Sequence, residues 1–167
     1  MRERVPGWTR WLGVSAAIVL ADLATKAWVS RVLAFGDVVV VTPFFNLVLA
    51  HNTGAAFSFL AGAGGWQRWF FSAVAIVISG VLVVMLSRPH RDRLVPLALS
   101  LVLGGAIGNL WDRVSLGHVV DFVQLHAGGY YWPAFNVADS AICVGVAILV
   151  WDGLRGDPAK PESKATP

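Results

Sequence analysis

Two aspartates lie among apolar residues, Asp121 in Val119-Val120-Asp121-Phe122 and Asp139 in the segment from Phe135 to Ser140. A carboxylate with such neighbours loses hydration, so the chain keeps it only where it is needed. Two carboxyl groups held close together cannot both ionise cheaply, and they titrate as a pair that shares one proton. One can then take a proton from water while the other donates to a carbonyl, which suits peptide hydrolysis.

A structural alternative exists for Asp139. Asn136 can act as the N-cap of a helix, which places Asp139 at the third helical position, where the helix dipole favours a negative charge. The spacing does not decide between this cap and a catalytic role. The alternative leaves Asp121 unexplained.

Other reactive groups show no catalytic or metal-binding pattern. No serine stands in a G-x-S-x-G turn, and the single cysteine, Cys143, excludes an internal disulfide and a cysteine metal cluster. We therefore expect a reaction without metal or cofactor. None of the four histidines has metal-ligand spacing: His51, His90, His118 and His126.

The composition indicates an integral membrane protein. Hydrophobic residues make up 56% of the 167 residues and charged residues only 14%, against about 25% in soluble domains, and the mean hydropathy is +0.65. The formal charge of +3 does not predict nucleic-acid binding, because the basic residues stand in short clusters between apolar runs. Membrane topology explains these clusters better.

Four stretches are long and apolar enough to cross a bilayer, which takes about 20 helical residues. The first could instead be a cleaved signal peptide, but its apolar character continues past Asp22 to residue 33 without a polar cleavage region. The predicted fold is therefore an all-α membrane protein with four transmembrane helices. Their approximate bounds are 8–33, 69–87, 94–111 and 136–151.

The distribution of basic residues predicts the orientation. Nine of the thirteen lie before the first span, between the second and third spans, or after the fourth span. Basic residues favour the cytoplasmic side, so both termini should be cytoplasmic, and the connections 34–65 and 114–133 should face outwards. The first connection is rich in strand formers and predicts a small extracytoplasmic β-sheet between helices 1 and 2. Residues 1–156 are expected to form one membrane-embedded domain, and 157–167 a disordered cytoplasmic tail.

Five motifs in order give the chain a resemblance to the bacterial lipoprotein signal peptidases, also called signal peptidase II. The resemblance implies an aspartyl endopeptidase of the cytoplasmic (inner) membrane, which cleaves prolipoproteins just before a diacylglyceryl-modified cysteine. It also implies that Asp121 and Asp139 are the catalytic dyad. Trp111 is bulkier than the aliphatic residue expected at its position. The motifs are Asp22-x-x-x-Lys26, Asn52 to Ser58, Gly104 to Arg113, Val120-Asp121-Phe122 and Phe135 to Ser140.

Asp22 and Lys26 lie four residues apart on one helix face, which predicts an ion pair that braces the outer half of the bundle. Arg113 could snorkel to the lipid headgroups. The resemblance favours a site role instead, in which Arg113 and the amides of Asn52, Asn109 and Asn136 hold the dyad or the substrate main chain.

Three glycines allow either packing or site interpretations. Gly54 could let a substrate strand approach the backbone or could be a plain turn glycine. Gly104 and Gly108 have the small-x-x-x-small spacing of close helix packing.

Two other function classes are weighed against the protease. A proton-conducting transporter would need a polar file through the bilayer, whereas the polar residues here gather in the outer half. A non-catalytic scaffold would tolerate asparagine at both aspartates. For the protease, the expected partners are a lipid-modified precursor and membrane lipid, the latter accepted in an apolar groove between spans. We expect a monomer.

Overall fold

The computed structural model describes residues 7–54 and 64–155. Over these residues the chain forms four long helices and four strands. In chain order they are α1 (Thr9–Val32), β1 (Val38–Thr42), β2 (Phe45–Asn52), α2 (Gln67–Leu86), α3 (Leu94–Leu116), β3 (Val119–Ala127), β4 (Tyr130–Tyr131) and α4 (Val137–Leu154). The predicted tail 157–167 and motif residues 55–58 lie outside the described residues.

All four helices are long and apolar enough to cross a membrane, as predicted. The main difference is in α3, which continues from residue 111 to Leu116 and ends at Gly117, whose φ of 84° is left-handed. Asp112 and Arg113 interrupt the apolar run in the sequence. They do not end the helix, because partners inside the protein satisfy them.

α3 is the central helix, and α1, α2 and α4 each pack against it. Glycines allow these close contacts. A Cβ at Gly104 would lie 2.8 Å from the Ser15 carbonyl oxygen of α1, and one at Gly105 would collide with the Ala138 carbonyl of α4. The predicted close packing at Gly104 is confirmed, and Gly108 similarly lies against Asp22.

The strands form one antiparallel arrangement in the order β1-β2-β3-β4. The predicted sheet between helices 1 and 2 is thus only half of it, because β3 and β4 come from the connection between α3 and α4. In β3 the charged Asp121 interrupts a run of strand-forming residues, and the tyrosines of β4 resemble an aromatic membrane-interface belt. Pairing of β2 with β3 places Ala50 opposite Asp121.

Candidate active site

The two aspartates lie on different elements at the end of the bundle that carries the sheet, here called the sheet end. Asp121 is within β3 and its residue is only 3% exposed. Asp139 is half-buried in the first turn of α4. The negative charge of Asp139 acts on the Asp121 carboxyl group, and hydrogen bonds through two asparagines link the two aspartates.

Asn136 caps α4 and contacts the site at the same time. Its Oδ1 accepts the N–H of Asp139 at 2.8 Å, which is the cap expected from the sequence. Its Nδ2 donates to Oδ1 of Asp121 at 2.7 Å. The cap and the site contact coexist because one amide has both an acceptor and a donor.

A second asparagine completes a chain of hydrogen bonds between the aspartates. Nδ2 of Asn109 donates to Oδ1 of Asp139 at 2.7 Å, and Oδ1 of Asn109 accepts from Asn136 at 3.3 Å. The side chain of Asn52 also hydrogen-bonds to Asp121. The three predicted asparagines therefore surround the two carboxylates.

The surroundings of Asp121 favour its protonated form. Burial, followed by the negative charge of Asp139, raises the pKa of Asp121 from 3.8 to about 7. Hydrogen bonds from Asn52 and Asn136 and the positive charge of Lys26 oppose this rise. The raised pKa therefore favours the protonated form of Asp121 towards neutral pH.

Behind the aspartates lies a buried charged triad. Nζ of Lys26 is 2.6 Å from Oδ2 of Asp22 and 2.9 Å from Oδ2 of Asp112. Lys26 also donates to Oδ1 of Asn109 at 3.1 Å. The structure therefore contains the Asp22–Lys26 ion pair and extends it to a second carboxylate and to the site.

Each carboxylate of the triad holds the residue that precedes a candidate catalytic aspartate. Oδ1 of Asp22 accepts the N–H of Ala138 at 2.9 Å, and Oδ2 of Asp112 accepts the N–H of Val120 at 3.1 Å. Lys26 joins these two supports and so couples the start of α4 to β3.

Asp112 was not among the predicted site residues. Its residue is 3% exposed, and its ion pair with Lys26 is 2.9 Å long. Its position in the sequence could have predicted this role, because Asp112 lies one helical turn after Asn109 and both side chains are on the same face of α3.

Arg113 points into the protein rather than towards the headgroups. Its Nη2 donates to the carbonyl oxygen of Gly54 at 2.9 Å, and its guanidinium lies 5.4 Å from the centre of the Phe71 ring. The charges of Asp139 and Asp121 also act on it. Its buried Nε has no hydrogen-bond partner among the described residues.

Gly54 follows β2 in a turn that Asn52 closes. Oδ1 of Asn52 accepts the N–H of Gly54 at 3.0 Å, while the Gly54 carbonyl is bound by Arg113. Gly54 is buried and has a turn position beside the site.

In residues 7–54 and 64–155, no three histidine, cysteine, aspartate or glutamate side chains come together as a metal site would require.

Comparisons with known proteins agree with the motif resemblance. Residues 14–155 match the family model for signal peptidase (SPase) II. The lipoprotein signal peptidase of Paraburkholderia phymatum is 51% identical over 87% of each chain, and that of an Azoarcus species is 51% identical over 92% of this chain and 87% of its own. A bacterial membrane enzyme solved by the in meso method at 2.3 Å superposes with a TM-score of 0.82, at 31% identity over 95% of both chains.

Proposed function

Because the chain belongs to the signal peptidase II family, we propose that it removes signal peptides from prolipoproteins with Asp121 and Asp139 as its catalytic acid–base pair. The observation that carries this proposal is the hydrogen-bonded chain Asp121–Asn136–Asn109–Asp139, which holds two carboxyl groups from separate elements beside one another.

Water is the nucleophile in the proposed reaction. Asp139 takes a proton from a water molecule between the carboxyl groups while Asp121 donates its proton to the oxygen of the scissile carbonyl. Asp121 has this role because its pKa of about 7 keeps about half of it protonated near neutrality. The oxygen of the water bonds to the carbonyl carbon to form a gem-diol. When this intermediate collapses and its C–N bond breaks, Asp139 gives its proton to the leaving amine and Asp121 regains a proton from the diol.

The asparagines and Arg113 keep the pair in place during this cycle. Asn109 and Asn136 each donate to one aspartate, so each carboxylate has a fixed oxygen and a second oxygen for reaction. Arg113 anchors the Gly54 turn beside the dyad. The triad of Lys26 with its two aspartates is a support, because its atoms bond to the backbone beside the dyad.

The proposed substrate is a membrane-inserted precursor with a diacylglyceryl-modified cysteine, cut on the amino side of that cysteine. Moving acyl chains between lipid and protein changes little free energy, so specificity should come from the shape and the headgroup of the glyceryl-cysteine region. The basic clusters support an orientation with the sheet end on the outer side of the bacterial inner membrane and both termini in the cytoplasm. Four spans without a long heptad pattern favour a monomer.

The test is cleavage of a lipid-modified precursor by purified protein in lipid nanodiscs. Asp121→Asn and Asp139→Asn should each lower the rate by about 100-fold to 10,000-fold, the range for loss of an acid–base group. Asp37→Asn is the matched control, because Asp37 is an exposed aspartate at the same end of the bundle whose Oδ2 accepts only a local N–H, from Ala34. It should cleave at the wild-type rate, and precursor without the lipid should be a poor substrate.

The same assay separates the rival functions. A scaffold would tolerate both asparagine substitutions, and a proton conductor would show proton flux in liposomes without peptide cleavage. Wild-type processing by either variant would refute the dyad.

A further inference from the structure

An open cavity of about 250 Å³ lies at the end of the bundle opposite the sheet. The start of α1, the end of α2 and the start of α3 surround it. From Leu94 at this end, α3 runs to Asn109 at the site, a rise of about 22 Å at 1.5 Å per residue. The cavity is therefore separate from the candidate active site.

Basic side chains line this cavity and the recess beside it. Arg10 and Arg88 line the cavity, and Arg10 with Arg93 lines the adjoining recess. Asp92 is the acidic residue of the lining, but its Oδ1 accepts the N–H of Leu94 at 2.9 Å as a cap of α3. The side chains around the cavity thus carry a net positive charge.

A helix terminus adds to this positive potential. α1 begins here with no side-chain cap on its first turn and with no acidic residue in that turn. The N-terminal end of a helix carries a partial positive charge, which favours anions. The cavity has the electrostatics of an anion site.

Its other walls are apolar and aromatic. Trp8 and Trp11 are half-buried, and the Arg10 guanidinium lies 5.3 Å from the centre of the Trp11 ring. Leu86 and Pro96 complete the lining. Tryptophan and arginine together are typical of the headgroup depth of a bilayer, and the cavity lies at the ends of three helices that can each span one.

We propose that this cavity binds the phosphate of an anionic membrane phospholipid in the leaflet opposite the sheet. Arg10 and Arg88 bind the phosphate oxygens by charge-assisted hydrogen bonds. The tryptophan rings contact the glycerol backbone. The acyl chains lie between α1 and α2, which pack on α3 and make almost no contact with each other. The apolar walls and the bilayer depth favour a lipid over a free phosphate.

The test is native mass spectrometry of the full-length protein released from nanodiscs, with phosphatidylglycerol as the probe. Wild-type protein should retain phosphatidylglycerol in preference to zwitterionic phosphatidylcholine. The double substitution Arg10→Gln/Arg88→Gln should weaken retention of phosphatidylglycerol by at least about tenfold. Asp92→Asn keeps an oxygen for the α3 cap and removes the negative charge, so it should strengthen retention severalfold, a result that a purely structural role of these residues would not produce.

Arg155→Gln is the matched control. Arg155 lies 4.8 Å from the Trp151 ring at the same end of the bundle, so it repeats the arginine–tryptophan geometry, but it does not line the cavity. It should retain phosphatidylglycerol as wild type does. An equal loss in this variant would mean general surface attraction and would overturn the site, as would unchanged retention in the double variant.

Competition with inorganic phosphate distinguishes a lipid headgroup from free phosphate as the ligand of the cavity. Millimolar inorganic phosphate should leave the lipid adduct in place, and complete displacement would overturn the lipid assignment. The wild-type preference between the two lipids requires no variant, so equal retention of both would refute the proposal even if a substitution impaired folding. Precursor cleavage by the double variant should continue, because its substitutions lie far from the aspartates.

Discussion

Asp121→Asn is expected to stabilise the protein at neutral and alkaline pH while it abolishes cleavage. The folded protein holds the Asp121 proton up to a pKa of about 7, whereas the carboxyl group ordinarily releases it near 3.8. Between these values the unfolded chain binds fewer protons than the folded chain, so wild-type stability should fall as the pH rises. The gap corresponds to about 4 kcal/mol in the free energy of unfolding.

An asparagine at position 121 does not ionise, so it removes this decrease in the free energy of unfolding. It also keeps the local contacts. Its carbonyl oxygen can still accept from Nδ2 of Asn136, which bonds to the carboxylate at 2.7 Å in the wild type. The variant should therefore match the wild type near pH 4 and exceed it by up to about 4 kcal/mol at pH 8. A stabilising substitution at a reactive position is the usual trade-off between stability and activity.

The assay is denaturant unfolding in detergent micelles between pH 4 and pH 8, followed by tryptophan fluorescence. Asp37→Asn serves again as the control and should follow the wild-type curve, because Asp37 is exposed. Parallel curves for the wild type and Asp121→Asn would refute the argument that the folded protein penalises the ionised carboxylate.

Three further predictions concern packing, the charged triad and pH. Gly105→Ala should destabilise the fold by about 1–3 kcal/mol in denaturant unfolding, because its Cβ would meet an α4 carbonyl, whereas Gly153→Ala has free space and should cost far less. Lys26→Met leaves two buried carboxylates unpaired and should cost about 3–5 kcal/mol, so a loss below about 1 kcal/mol would contradict the ion-pair support. Burial and a neighbouring histidine lower the pKa of His118, so thermal unfolding should show the wild type losing stability relative to His118→Gln as the pH falls below about 6.5.

The transmembrane part of the fold could be predicted because the bilayer imposes a simple rule of length and polarity. The four spans were found within a few residues at most ends, and the end of α3 was the main exception. Charged residues normally signal the end of a span, but Asp112 is paired with Lys26 from α1. The residues around Asp112 do not predict this ion pair, because its partner is far away in the sequence.

The sheet was harder to predict because strand pairing is also non-local. β1 and β2 have an apolar, β-branched pattern that stands out in the sequence. β3 contains Asp121, and it becomes a strand through hydrogen bonds to β2 that no local pattern encodes. The position of Asp121 in the connection 114–133 therefore predicted that it lies on the outer side of the membrane. It did not predict that Asp121 lies in a strand.

The polar residues of the site could be predicted from their types and motifs. The contacts between them could not. The spacing of Asn136 and Asp139 gave the cap, and the structure adds the second bond of Asn136 to Asp121. The distance of four residues gave the Asp22–Lys26 pair. It could not give the contacts of Asp22 with the α4 backbone, which depend on how the helices pack.

The pairing of β2 with β3 also dictates when activity can arise during biosynthesis. Asn46 bonds to Gln124, which is 78 residues later, and Asp139 follows only in the last helix. A ribosome delivers the chain from its amino terminus, so a nascent polypeptide that stops before α4 carries one of the two aspartates and an incomplete support for it. On the mechanism proposed above, such a polypeptide cannot hydrolyse a peptide bond before α4 has been made.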